Sequence, residues 1–124
     1  MHICLDIDDT ITYAPEFFVQ LVARFPEAEV SIVTFRGELE ETRSYLDSLP
    51  IRFDRLIVST DSELGKSEEQ TLPEWKAGVV NDLKPDLFFE DMPEVVALID
   101  RSIFVFMPCD DLIRDWIADQ IART

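Results

Sequence analysis

Two carboxylates follow the first apolar run of the chain, and their spacing is the strongest chemical signal in the sequence. Residues 2–7 read HICLDI, and Asp6, Asp8 and Asp9 lie at or just beyond the end of this run. Residues two apart in an extended chain lie on the same side of the backbone, so the carboxylates of Asp6 and Asp8 should lie close together. Such neighbours repel each other unless a cation lies between them, and a divalent metal is the usual cation. The sequence therefore predicts a metal site after the first strand.

Three later features fit the same site, because two of them end predicted strands and the third is a lysine on the helix that precedes one of those strands. Thr34 ends the second apolar strand, and the pair Glu90–Asp91 ends the fourth. Lys76 lies near the start of the helix before the fourth strand. Taken singly, each has a structural explanation: acids fit turns and caps, threonine is an ordinary strand residue, and a helix lysine is usually solvated. Their joint occurrence favours a functional cluster.

The spacing of apolar residues predicts strands that alternate with helices. Strands are expected over residues 2–7, 29–34, 55–59, 86–90 and 102–107. Helices are expected over residues 15–25, 38–48, 73–83, 93–100 and 110–122. Proline stands at or near the start of three of these helices, where it is favoured. The polar stretch 61–72, which contains Gly65, is expected to be a loop.

This regular alternation is typical of an α/β protein with a parallel sheet, because each right-handed crossover returns a helix over one sheet face. The strands are almost continuously apolar, as expected when both faces are covered. We therefore expect a single Rossmann-like domain over residues 1–124, with five parallel strands and helices on both faces. In open sheets of this kind, ligands bind beyond the carboxyl ends of the strands. Asp6, Thr34 and Glu90 are all expected at that edge.

The charge balance narrows the choice of partners. The chain carries 26 acidic and 11 basic residues, for a formal net charge of −15. This field repels the phosphates of duplex nucleic acid and anionic membrane surfaces, so neither is expected as a partner. No apolar run is long enough to span a bilayer, and Asp6, Asp8 and Asp9 interrupt any signal-peptide pattern. A cytoplasmic location is therefore the expectation.

Nucleophiles other than carboxylates have little support in the sequence. Cys4 and Cys109 do not make a disulfide framework, and Cys4 lies in an apolar run typical of a core residue. His2 is the only histidine. A Ser-His-Asp triad is therefore excluded unless His2 serves in it.

The pattern resembles the haloacid dehalogenase-like superfamily of hydrolases. The first motif of that family, a hydrophobic strand followed by Asp-x-Asp-x-Thr, is matched by Asp6-Ile7-Asp8-Asp9-Thr10. The other three motifs are matched in order by Thr34 in SIVTF, Lys76 in PEWKAGVV and Glu90-Asp91 in LFFEDMPE. The resemblance covers almost the whole chain. The stretch around Glu90 is similar to the deoxyribonucleotidase branch of the family.

The resemblance implies a magnesium-dependent phosphatase. Asp6 would attack phosphorus and form an aspartyl-phosphate, while Asp8 would act as general acid and then as general base. Mg²⁺ would be held by the Asp6 carboxylate, the Asp8 backbone carbonyl and Asp91. The remaining motif residues would support these groups: Thr34 and Lys76 would bind the phosphoryl oxygens, and Glu90 and Thr10 would lie behind the ligands.

The resemblance also implies a sheet of order 5-4-1-2-3 without a cap domain. Few residues separate Thr10 from Pro15, and the stretch 60–73 is too short for an inserted domain. Lys66 competes with Lys76 for the third motif, although it lies in a polar loop. Asp91 is expected to hold the metal in preference to Glu90. Arg36 is interpreted as an ordinary loop arginine with a possible substrate contact.

Two other classes fit parts of the pattern. A receiver-type phosphoacceptor domain has similar length and sheet, and Asp61 lies near its phosphorylated position, but no lysine follows the fifth strand. A catalytically silent relative that only binds ligands is the second alternative, and the intact acids and Lys76 argue against it. The substrate is expected to be a phosphorylated small molecule or a phosphorylated macromolecule, and the motifs do not specify the oligomeric state.

Overall fold

The computed structural model describes residues 1–124, which form one α/β domain. The strands are β1 (His2–Leu5), β2 (Glu29–Val33), β3 (Arg55–Ile57), β4 (Leu87–Phe89) and β5 (Phe104–Phe106). The helices are α1 (Pro15–Arg24), α2 (Leu39–Ser48), α3 (Leu72–Leu83), α4 (Pro93–Val96) and α5 (Asp111–Ala122). All ten predicted elements are present in the predicted order. A turn over Ile7–Ile11, in which Asp8 and Asp9 have non-helical backbone angles, joins β1 to α1.

The five strands form one parallel sheet of order β3-β2-β1-β4-β5. This is the predicted order read from the opposite edge, so the prediction is confirmed. β1 lies at the centre, with Leu5 opposite Ile32 on β2 and Phe89 on β4. The carboxyl ends of these three strands therefore lie side by side.

Helices cover both faces of the sheet, as predicted. On one face, Phe18 and Val22 of α1 and Leu46 of α2 pack in a cluster with alternate residues of β1 and β2. On the other face, Trp75 and Val80 of α3 belong to a second cluster that includes Cys4 and Phe88. The period-two alternation of strand side chains thus divides the core into two layers.

Cys4 is a core residue, as its apolar surroundings predicted. It is fully buried in the second cluster, where burial raises the pKa of its thiol to about 12. The thiol therefore stays protonated near neutral pH and is a poor nucleophile.

The structure differs from the sequence-based expectation at three elements. The helix expected over 93–100 ends at Val96, after a single turn, and hydrogen-bonded turns continue to Ile103. In α5, only Ile113 is buried, although several apolar residues recur on one side of the helix. Phe104 and Phe106 of β5 are also exposed. The end of the sheet at β5 is therefore less covered than its centre. No helix in the structure has both the length and the apolar character needed to cross a membrane.

Candidate active site

The turn after β1 places Asp6 at the carboxyl edge of the sheet. The backbone N–H of Asp6 donates to the carbonyl oxygen of Phe89 at 3.0 Å, which fixes Asp6 between β1 and β4. Asp9 takes a left-handed backbone conformation, with φ of 62°, which aspartate tolerates better than most residues. Ile7 and Ile11 are buried and anchor the turn in the core. The sequence Asp-x-Asp-x-Thr is thus folded as a tight loop over the strand ends.

The Asp6 carboxylate is held on both oxygens. The hydroxyl of Thr10 donates to Oδ2 at 2.9 Å, and the Lys76 ammonium donates to Oδ1. Asp6 is 4% exposed, and Thr10 is fully buried. A carboxylate that is buried and bonded in this way has one preferred orientation, so its free lone pairs point in defined directions.

The fixed starting point of α3 positions Lys76 in the site. Thr71 and Glu74 form a reciprocal capping box, and Pro73 lies in the first turn, so the helix begins at a fixed point. Lys76 follows in the second turn and is 1% exposed. Its ammonium lies 2.8 Å from Oε1 of Glu90 and 4.8 Å from the centre of the Phe35 ring. Lys66, the competing lysine, instead donates to the Ser67 carbonyl.

The charges around Lys76 compensate one another. Burial acts to lower the pKa of Lys76, but the carboxylates of Asp6 and Glu90 outweigh it, so the pKa is raised. Burial raises the pKa of Glu90, and the positive charge of Lys76 opposes this rise. A lysine that stays charged inside the fold is an electrostatic partner for anions rather than a proton acceptor.

Asp6, Glu90 and Asp91 form a group that fits a divalent cation. One carboxylate oxygen from each residue lies within 4.8 Å of the others. Oε1 of Glu90 is buried and has no well-directed hydrogen bond, although Lys76 lies close to it. Burial raises the pKa of Asp91 to about 9, and the neighbouring carboxylates act in the same direction. Mg²⁺ prefers oxygen ligands, and it would offset the excess negative charge of these three carboxylates.

Asp8 points to a different partner from Asp6. Its carboxylate accepts two hydrogen bonds from Arg36, from Nε at 3.1 Å and from Nη2 at 2.8 Å. The Arg36 guanidinium also lies over the Tyr45 ring, 4.9 Å from its centre. This bidentate pair was not predicted from the sequence, where Arg36 was interpreted as an ordinary loop arginine. Its position two residues after Thr34 was the only signal.

Thr34 lies at the predicted strand end but not on the wall of the cavity. Its backbone N–H donates to Ile57, and its hydroxyl oxygen accepts from the backbone N–H of Arg36 at 3.2 Å. It is fully buried. The phosphate-binding role predicted for Thr34 therefore stays a prediction, while Thr34 visibly positions the turn that carries Arg36.

A small cavity of about 80 Å³ joins these groups. The residues that line it include every candidate of the metal and catalytic site predicted from the sequence, whereas Thr34 is not among them. They are Asp6, Asp8, Asp9, Phe35, Lys76, Glu90, Asp91 and Met92. Lys76 is the only cation among them. The cavity can therefore hold a divalent metal with a small anion, because the anion alone would face four Asp and one Glu.

His2 does not take part in this site. It begins β1, at the opposite end of the strand from Asp6. Its Nε2 lies 2.7 Å from the Ser31 hydroxyl, but Ser31 is fully buried and cannot reach a substrate. Hydrolysis through a Ser-His pair is therefore excluded here.

Comparison with solved structures supports the fold. A chain in the Pnkp1/Rnl/Hen1 RNA repair complex is similar to this protein, with a TM-score of 0.65 and 13% sequence identity. The similar region covers 86% of this chain and 42% of that chain, so this protein spans less than half of the neighbour's length. No protein-family model and no curated protein matches the sequence. At this identity the similarity shows a shared fold alone.

Proposed function

We propose that this protein is a magnesium-dependent phosphomonoester hydrolase of the haloacid dehalogenase-like type, with Asp6 as nucleophile. The observation that carries the proposal is the setting of Asp6. Its carboxylate lies at the base of an acid-lined cavity, fixed by Thr10 and by the buried ammonium of Lys76. An oriented carboxylate beside a fixed cation is suited to attack phosphorus, because phosphoryl transfer depends mainly on positioning and charge stabilisation.

The proposed reaction consists of two successive displacements at phosphorus. In the first, a carboxylate oxygen of Asp6 forms a bond to phosphorus, and the bond from phosphorus to the ester oxygen breaks. Asp8 gives its proton to that departing oxygen. In the second, water attacks the same phosphorus, Asp8 takes its proton, and the bond to Asp6 breaks. Phosphate leaves, and both carboxyl groups return to their starting states.

Asp6, Glu90 and Asp91 would hold the magnesium ion, together with the backbone carbonyl of Asp8. When bound, the ion supplies positive charge to the phosphoryl oxygens. Lys76 supplies a second, fixed charge to the same oxygens and compensates Asp6 and Glu90 between turnovers. Glu90, expected behind the ligands, contributes a carboxylate oxygen to the same three-acid group as Asp91. We therefore assign the metal to both acids.

Arg36 controls whether Asp8 is free to act as a general acid. While both Asp8 oxygens accept from Arg36, the carboxyl group cannot deliver a proton to a leaving group. The phosphate of an arriving substrate competes for the same guanidinium. Substrate binding would thus open the pair and release Asp8 towards the cavity.

The net charge of −15 favours a small substrate over a polyanionic one. The structural neighbour belongs to an RNA repair complex. The net charge of this chain disfavours binding to a nucleic-acid backbone, so we propose a phosphorylated small molecule as the first class to test.

Phosphate release from a panel of phosphomonoesters, with and without Mg²⁺, tests the proposal. Wild-type protein should release phosphate only with the metal, and Asp6→Asn should release none. Asp47→Asn, an equivalent change at an exposed position of α2, is the matched control and should behave as wild type. Absence of release by the wild type from every ester, or unchanged release by Asp6→Asn, would contradict the proposal.

A further inference from the structure

A larger cavity, of about 320 Å³, opens beside the small one, between α4 and the start of α5. Asp9, Asp91 and Met92 line both cavities, so the two adjoin next to the metal-binding group. A volume of about 300 Å³ lies at the lower end of the range for small-molecule pockets. A phosphoryl group at Asp6 would therefore have its ester substituent directed into a pocket that holds a group of one or two rings.

The wall formed by α5 is fixed by the first turn of that helix. Asp110 caps it by accepting from the backbone N–H of Ile113 at 2.8 Å, and Ile113 itself is 4% exposed. Arg114 Nε donates to the Cys109 carbonyl at 3.0 Å. Leu112 and Trp116 lie one turn apart on the cavity side and remain 72% and 48% exposed. Two large apolar side chains thus line a cavity without a protein partner.

The lining selects a particular chemistry. Trp116 offers a flat indole, and Met92 offers a polarisable thioether, both of which favour contact with aromatic rings. Every charged residue on the wall is acidic, namely Asp9, Asp91 and Glu94. A second phosphate on the bound molecule would be repelled. Sugar hydroxyls against the Leu112–Trp116 side would lose hydrogen bonds to water without replacement.

We propose that this cavity binds the leaving group of the substrate, and that this group is an uncharged aromatic ring on a single phosphate. The inference rests on the proposed hydrolase function and specifies its substrate class. An aryl ring and a nucleobase share the required chemistry, and the experiment includes one of each. Trp116 is the specificity-determining residue, because it supplies the largest flat surface of the wall.

Binding is measured by tryptophan fluorescence in the wild-type protein with Mg²⁺. Trp116 is half-exposed, whereas Trp75 is 2% exposed with its indole N–H bonded to the Leu64 carbonyl, so added ligand reaches only Trp116. Phenylphosphonate, whose carbon–phosphorus bond resists hydrolysis, should change the emission saturably, and methylphosphonate should not. Trp116→Phe should abolish the change. An equal response to both phosphonates, or no response to either, overturns the inference.

Kinetics provide the second readout. Trp116→Ala should raise KM about threefold to tenfold for phenyl phosphate or thymidine monophosphate, the size expected for one aromatic pair. It should leave β-glycerol phosphate hydrolysis within about twofold. Ile121→Ala removes an exposed apolar side chain of the same helix outside the cavity and should change neither substrate. The substrate whose KM rises more in Trp116→Ala shows whether the cavity is suited to a simple aryl ring or to a nucleobase.

The outcomes separate this inference from the proposed function. Hydrolysis of all esters with no selective effect of Trp116→Ala overturns the aromatic pocket and leaves the hydrolase standing. Saturable binding of phenylphosphonate by a protein that hydrolyses no ester supports the pocket and contradicts the hydrolase. Concentration-dependent dimerisation that removes Trp116 from the ligand's reach assigns the cavity to a second copy and overturns the inference.

Discussion

Replacing Lys76 with methionine tests the electrostatics at the base of the site. The substitution keeps the length of the side chain and removes its charge, which leaves Asp6 and Glu90 without their buried partner. Breaking one partner of a buried ion pair costs about 3–5 kcal/mol, because the remaining charge is neither hydrated nor compensated. For a domain of this size, each kcal/mol lowers Tm by roughly 3–6 °C. Lys76→Met should therefore melt roughly 9–30 °C below wild type at pH 8 without metal.

The loss of stability in Lys76→Met should be larger at pH 8 than at pH 5. Without Lys76 the pKa of Glu90, already raised by burial, loses the one interaction that lowers it most. The carboxyl then binds a proton more readily, so acidification removes the unpaired charge and narrows the deficit. Urea denaturation at pH 8 and pH 5 measures this change. Mg²⁺ should also recover stability at pH 8, since the ion replaces the missing positive charge.

Lys66→Met is the matched control, because Lys66 carries the same charge and its ammonium hydrogen-bonds to the adjacent Ser67 carbonyl, not to a carboxylate. It should unfold within about 0.5 kcal/mol of wild type. A Lys76→Met protein as stable as Lys66→Met, or one equally destabilised at both pH values, would refute the reasoning.

Four further predictions concern the acids and Arg36. Asp8→Asn should lower turnover of alkyl phosphates about 100-fold or more but affect p-nitrophenyl phosphate much less, because only the poor leaving group needs a proton; equal losses would contradict the role. Arg36→Gln removes the partner that holds both Asp8 oxygens, so it should not reproduce the leaving-group dependence of Asp8→Asn; it should instead raise KM for every ester, because the substrate phosphate loses the guanidinium, whereas Arg52→Gln, which breaks a remote ion pair, should leave KM and turnover unchanged. Since the pKa of Asp91 is about 9, Mg²⁺ binding near pH 7 should release a proton and tighten as pH rises towards 9, as calorimetry in two buffers would show. The same raised pKa stabilises the metal-free fold most below about pH 4, and this contribution is lost as pH rises through about 9, which pH-dependent denaturation with and without Asp91→Asn measures.

The sheet and the base of the site were predictable because both follow from local pattern. Five apolar runs separated by helices allow few topologies, and the carboxyl edge of a parallel sheet gathers whatever follows each strand. Asp6, Lys76 and Asp91 were therefore placed together from sequence alone. Lys76, and not Lys66, lies against Asp6, because a helix that starts at a capping box positions its second turn more rigidly than a loop positions a side chain.

The parts that could not be predicted depend on long-range geometry. The pair between Arg36 and Asp8 joins residues 28 apart across two strand ends, and no periodicity encodes it. The apolar positions of α5 predicted a buried face, yet Trp116 lies on a cavity wall instead. An apolar stripe on a helix indicates that one face is shielded from water, but the stripe does not indicate whether other parts of the protein or a ligand cover that face. The short α4 was also not predictable from the apolar pattern. The residues after Val96 form turns, and these turns bury Ile99 as a longer helix would have done.

The most direct test of the account is to locate the phosphorylated residue. Protein quenched during turnover of a phosphomonoester with Mg²⁺ is reduced with borohydride, which converts an aspartyl-phosphate to homoserine, and is then mapped by peptide mass spectrometry. The account predicts homoserine at position 6, and none in an unreacted sample or in Asp6→Asn. Conversion at Asp8, Asp9 or Asp91, or turnover with no modified aspartate, would contradict the assignment of Asp6 as the nucleophile.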